Sequence, residues 1–205
     1  MIGFLKHRVF ALENLPSLLF FAIWRSGVGL EHAAWAAAAA SAIVLSALWF
    51  RRCAPDSILL GINLHFIATP IAIQLVYNSG NTELAREMID AAGVAVIGAI
   101  LLTGILLSLC TRQGFVGAQL ATPGSTRIRS VILIVWTSAA LVWSLQFMGN
   151  QFLSVGLPIL STFLMRAALR RRDIRPSTLL PAIALLIARP YETAGRMLRS
   201  TINAA

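Results

Sequence analysis

Acidic side chains are scarce in this chain: eight aspartates and glutamates among 205 residues, against seventeen lysines and arginines. The eight fall in loops or at the edges of apolar runs, whereas an enzyme working inside a membrane keeps ionisable groups within reach of a cavity. Histidine is nearly as rare, and His7, His32 and His65 lie in three different environments, an arrangement unsuited to a shared metal. Cys53 and Cys110 have no CxxC spacing, so neither a metal nor a redox motif is expected from them, and no structural disulfide. HExxH, GxSxG, a Walker loop and a dinucleotide fingerprint are all missing. Together these absences argue against catalysis, and no catalytic, cofactor-binding or metal-binding residue is expected.

What the chain has in abundance is apolar length. Five runs stand out, Ala33 to Phe50, Ile58 to Tyr77, Ala91 to Cys110, Val131 to Gly149 and Phe152 to Leu169, and only the last carries a charge, Arg166. Each is close to the ~20 residues that an α-helix needs to cross ~30 Å of hydrocarbon. A water-soluble helix would show polar residues along one face, and these runs are apolar nearly all round. The composition agrees, with 58% hydrophobic and 12% charged residues and a mean hydropathy of +0.78. The expected fold class is all-α, a membrane bundle of five to six transmembrane helices with a C-terminal amphipathic segment.

A net charge of +9 raises the question of nucleic acid, and the placement of the charge answers it. With the spans alternating, every lysine and arginine except Arg25 and Arg86 falls on one side, which by the positive-inside rule is the cytoplasmic one. The basicity is therefore a topology signal, and no nucleic-acid partner is expected. Under this topology Ser79 lies outside and Thr122 inside.

The first segment, about Val9 to Trp24, is the most ambiguous. Asn14 is placed to cap a helix beginning at Leu15 with Pro16 in its first turn, which leaves ten residues before Arg25. Alternatively the helix starts near Val9 with Glu13 snorkelling or paired at the cytoplasmic edge, or it is only half inserted. Lys6 and Arg8 favour a cytoplasmic N-terminus and six spans. No cleavable signal peptide is expected, because Glu13, Asn14 and Pro16 interrupt the apolar stretch.

Helical spacing gives further expectations. Trp35, Ala39, Ala42, Ser46 and Trp49 form one stripe of the second span, suited to close approach of a neighbouring helix. In the third span Asn63, Pro70 and Gln74 share a face and His65 points away. Two readings stand: Asn63 and Gln74 line a solute path, or the amides bond to neighbouring helices while Pro70 kinks the span. The segment Asn78 to Asp90 reads as an external loop with a short surface helix at Leu84 to Ile89, followed by a small-residue ridge, Ala91, Ala95, Ala99 and Thr103. Thr111 to Ser130 reads as the longest connection and the divide between two halves. Trp136, Ala140, Trp143 and Phe147 form a packing ridge on the fifth span. Residues 1–175 form the transmembrane domain. Residues 176–205 form a cytoplasmic amphipathic tail whose Arg189, Arg196 and Arg199 are drawn to anionic lipid.

One resemblance adds to this. Leu15-Pro-Ser-Leu-Leu-Phe-Phe-Ala-Ile-Trp-Arg25 resembles the Leu-Pro-(apolar)3-Phe-Phe-Ala-x-aromatic-basic opening of the bacterial intracellular septation protein A family of inner-membrane proteins. A glycine-containing break, an alanine-rich span and the pair Arg51 and Arg52 follow in the same order. Gln151-Phe-Leu-Ser-Val-Gly-Leu157 is similar to a later segment of that family through Phe152, Gly156 and Leu157. The chain departs from the pattern before its fourth span, where the family's Trp-Lys-Pro-Thr element has no counterpart. It departs again at Leu153, where the family has lysine, and in the extra tail after Ile174.

The resemblance implies a divergent, non-enzymatic protein of the bacterial cell inner membrane. Its role would lie in cell-envelope synthesis or division, through contacts with other membrane proteins or with further copies of itself. The contacts would be made by Leu15, Pro16, Phe20, Phe21, Trp24 and Arg25. A small-solute transporter or channel lined by the third span is the alternative.

Overall fold

The computed structural model describes residues 2–51, 53, 55–117 and 123–170. The tail from 176 onward, with Arg189, Arg196 and Arg199, lies outside the described residues, as does Thr122. Contacts divide the chain after Arg166. The first unit, residues 1–166, holds nearly all of the described structure, and the second contributes only the last turn of the final helix.

Six α-helices follow in order: α1 (Ile2–Arg25), α2 (Leu30–Phe50), α3 (Ser57–Asn78), α4 (Thr82–Cys110), α5 (Pro123–Gln146) and α6 (Leu157–Arg170), with a π-helical turn, Phe152–Gly156, leading into α6. No strand occurs among the described residues. Among the described residues five helical segments are long and apolar enough to cross a membrane: Leu30–Phe50, Ser57–Asn78, Thr82–Cys110, Thr126–Gln146 and Phe152–Arg170. The chain is thus a multi-pass, all-helical membrane protein. Consecutive helices pack side by side from α1 to α5, α1 also reaches α3, and the π turn sits against α4 and α5.

Of the starts open to the first helix, the capped one at Leu15 is not adopted; the helix begins earlier even than Val9, at Ile2, with Glu13 bonded to the Asp56 amide. It is continuous over 24 residues, so Asn14 and Pro16 both lie in its interior, Pro16 fully buried. A proline there leaves the carbonyl one turn earlier without its helical donor. The Glu13 side chain and carbonyl both bond to other parts of the bundle, and this tertiary anchoring holds the helix through the proline.

The second helix turns the other way from expectation. Ala33, Ala37, Ser41, Val44 and Leu48 face inward, whereas Trp35, Ala39, Ala42, Ser46 and Trp49 are exposed, Trp49 to 83%. Both faces are apolar, so in a membrane hydrophobicity does not choose between them, and packing shape does.

The segment Asn78 to Asp90 is not a loop with a separate surface helix. The chain turns tightly at Ser79–Asn81, with Gly80 at φ 85°, and Asn81 caps α4 by accepting from the Leu84 amide at 3.0 Å. The resulting 29-residue helix is about 43 Å long, so its charged first turns continue the same rod beyond the apolar part. Against α3, the helix approaches closely at Gly61, where a Cβ would lie 2.7 Å from the Ile100 Cα. Ala99, part of the expected small-residue ridge, supplies a carbonyl to the same contact.

Along α5, Trp136 donates to Ser161 Oγ at 3.3 Å and Trp143 to the Leu153 carbonyl at 3.2 Å, while Trp143 stacks on Phe147. The expected ridge therefore faces the last helix. A π turn leaves carbonyls out of the regular i→i−4 pattern, and one of them receives the Trp143 indole.

Candidate functional site

A connected polar network forms at one end, where the α2–α3 turn, the α4–α5 connection and α6 meet. We call this the basic end, since Arg51, Arg112 and Arg127 are exposed there. Asp56 begins the site. As the cap of α3 it accepts from the Ile58 and Leu59 amides, which fixes its carboxylate at the mouth of the bundle. Arg166, 3% exposed on α6, reaches both oxygens of that carboxylate through one guanidinium nitrogen. Its Nε donates to the Val116 carbonyl at 3.1 Å. A charge buried this far needs an opposite charge and further hydrogen bonds to offset its desolvation, and Arg166 has both.

The network extends through Asp56 to the first three helices. The Asp56 amide donates to Glu13 Oε1 at 2.8 Å, the Asn63 side-chain amide donates to the Glu13 carbonyl at 3.2 Å, and Ser41 Oγ donates to Asn63 Oδ1 at 3.1 Å. One connected set of polar groups therefore joins α1, α2, α3, α6 and the residues after α4.

The connection expected over Thr111 to Ser130 is shorter, since α5 begins at Pro123. Thr111–Gly117 folds back onto the bundle, with Phe115 and Val116 fully buried. Gly104 on α4 leaves room for the Phe115 ring, since a Cβ there would lie 2.6 Å from it. The Phe115 amide donates to Ser108 Oγ at 3.2 Å and its carbonyl accepts from Ser57 Oγ. Gly114 and Gly117 turn the chain at φ 58° and 66°, a left-handed conformation that side chains resist.

The residues singled out in the sequence are distributed as follows. Asn63 joins the network. Gln74, about 16 Å further along α3, donates to Asn78 Oδ1 on its own helix at 3.1 Å. The structure thus does not bring Asn63 and Gln74 together, although they share a helical face. His65 is buried, with Thr69 Oγ1 3.0 Å from its Nδ1. In the α1 motif Pro16 is buried and Phe20 lies against Phe66, with ring centroids 5.4 Å apart. Leu15, Phe21 and Trp24 are 48%, 54% and 39% exposed, and Arg25 is exposed at the far end.

Glu13, Asp56 and Arg166 were not expected to form a site. One signal pointed there: Arg166 is the sole charge within the five apolar runs, and a charge at that depth requires an acidic partner at the same level. Counting the acids near that end would have reduced the choice to a few.

Chemically the cluster is a charge pair with its hydrogen-bonded surroundings. No group of acidic, histidine or cysteine side chains among the described residues is arranged to hold a metal ion. Comparison with family models, with curated proteins and with solved structures finds no match to the chain.

Proposed function

We propose that the chain is a non-enzymatic protein of the bacterial inner membrane, similar to septation protein A. In this reading it contributes to envelope synthesis or division by binding other membrane proteins through α1, and its basic end faces the cytoplasm. The observation that carries the reading is how α1 divides the motif. Glu13, Pro16 and Phe20 anchor the helix to the bundle, while Leu15, Phe21 and Trp24 present apolar and aromatic surface outward, ending in Arg25. Anchored aromatic and arginine side chains are the residue types that dominate protein contacts. Because Asn63 is engaged by Ser41 and by the Glu13 carbonyl, we assign it no role in lining a path. The orientation rests on the distribution of arginine.

Photo-crosslinking side chains placed in living cells at Phe21 and Trp24, with Ile43 and Leu102 as exposed controls on other helices, test the proposal. The α1 positions should capture a defined set of envelope-assembly proteins, and Arg25→Glu should reduce that capture while the protein remains inserted. The same products from the Ile43 and Leu102 probes would overturn it. A membrane-impermeant thiol reagent should label Ser79→Cys but not Gln113→Cys in intact cells, in a chain lacking Cys53 and Cys110.

A further inference from the structure

A cleft of about 330 Å³ opens at the basic end beside the Thr111–Gly117 turn. Its walls are of two kinds. Pro55 and Leu60 from the start of α3 and Leu107 from the end of α4 give an apolar floor, and Thr111, Arg112 and Gln113 give a polar rim. The rim residues are exposed. Arg112 makes no hydrogen bond or ion pair among the described residues, and Asp56, at the same end of the bundle, is already paired with Arg166. The positive charge at the mouth is therefore uncompensated. Next to the cleft, Leu106 and Leu109 of α4 are 52% and 79% exposed, which in a membrane helix is lipid-facing surface. The cleft consequently lies where the apolar face of α4 gives way to charge, at the level of the headgroups.

We propose that this cleft binds one anionic phospholipid, with its phosphate on Arg112 and Gln113 and the first part of an acyl chain along Leu60 and Leu107. Three observations converge on that occupant. The volume falls within the range of ordinary ligand sites, ~300–1,000 Å³, and suits a phosphodiester with a few methylenes. The apolar floor is contiguous with surface that lipid tails already cover. Uncompensated positive charge at the rim, supplied by Arg112, selects for a negative headgroup, as basic pockets between membrane helices do. A free phosphate would match the rim and leave the apolar floor unused. A zwitterionic lipid would match the floor and leave Arg112 without a net partner. This assignment is independent of the proposed role of α1.

The experiment uses the full-length protein, purified in detergent and loaded with mixed lipid, with retained lipid counted by native mass spectrometry. Phosphatidylglycerol should be retained about fivefold more strongly by the wild-type chain than by Arg112→Gln, the size expected for loss of one charge contact near the surface. Arg127→Gln, at the same end but outside the cleft, should retain it as the wild type does. Arg112 is exposed, so its substitution leaves the bundle folded, and the melting temperature without lipid checks this. Phosphatidylglycerol should also raise the melting temperature of the unaltered protein, and phosphatidylcholine and inorganic phosphate should not. The proposal is overturned if Arg112→Gln keeps the lipid, if Arg127→Gln loses as much of it, if phosphatidylcholine binds equally, or if inorganic phosphate alone produces the same stabilisation.

Discussion

The two ends of the bundle are built on different principles. At the basic end Phe115 and Val116 of one connection are buried, and the bonds there span long stretches of sequence. Glu13 meets Asp56, Ser57 meets Phe115, and Arg166 meets both Asp56 and Val116. At the opposite end the turns Ser26–Gly29, Ser79–Asn81 and Phe147–Asn150 are almost wholly exposed, and their hydrogen bonds are local. Ser26 donates to Ile23, Ser79 donates to Val76, and Asn150 accepts from Phe152 and Leu153. Local bonds shape each hairpin without tying it to the next. The contrast teaches that tertiary order in this bundle is set from one end, and the other end follows the helices.

The sharpest way to break that asymmetry is at the ion pair. Asp56→Ser keeps a capping hydroxyl for α3 but strands Arg166 inside the bundle, and should cost about 3–5 kcal/mol in unfolding of the detergent-solubilised protein. Adding Arg166→Leu should recover most of the loss, because the uncompensated charge is then gone. Simple addition of two independent penalties would show that the pair is not the tie described. A smaller loss, about 1–3 kcal/mol, is expected for Gly61→Val, whose side chain meets the backbone of α4 rather than a movable group. Asn63→Leu removes two bonds that cross between helices and should cost about 1–2 kcal/mol. Gln74→Leu, on the same helix but bonded only to Asn78, should change stability by less than ~0.5 kcal/mol. Equal effects at 63 and 74 would erase the distinction between the ends.

The parts of this architecture legible in the sequence are those that the bilayer dictates. Uninterrupted apolar runs of about twenty residues have one common explanation, and all five appear as spans. The parts that were not legible depend on shape or on distant partners. On α2 the inward and outward faces are equally apolar, so neither Ala37 nor Ala39 declares its direction. The charges from Glu83 to Asp90 suggested a loop, yet an acidic residue such as Glu83 is favourable in a helix's first turn, and the membrane boundary need not end a helix. Pro16 marked a helix start by local rules, whereas the anchoring of Glu13 by residues over forty positions away overrides them. In the candidate site, Asn63 and Arg166 stood out as polar groups in apolar surroundings. Their partners did not, because a buried bond to the Val116 carbonyl leaves no trace in composition.

The position of Arg166 also bears on how the protein is made. Its carboxylate partner precedes it by 110 residues, so Asp56 leaves the ribosome long before the cation that it binds. Until α6 arrives, Asp56 lacks the buried cation that it pairs with. The last helix in turn brings into the membrane a charge that is costly to leave unpaired there, by ~2.5–3.5 kcal/mol at a helix centre and less near an end. Each half thus holds the other's unmet charge, and correct insertion of the final span is reported by one event, the closing of Arg166 on Asp56. A chain truncated before that residue lacks the signal of its own completion.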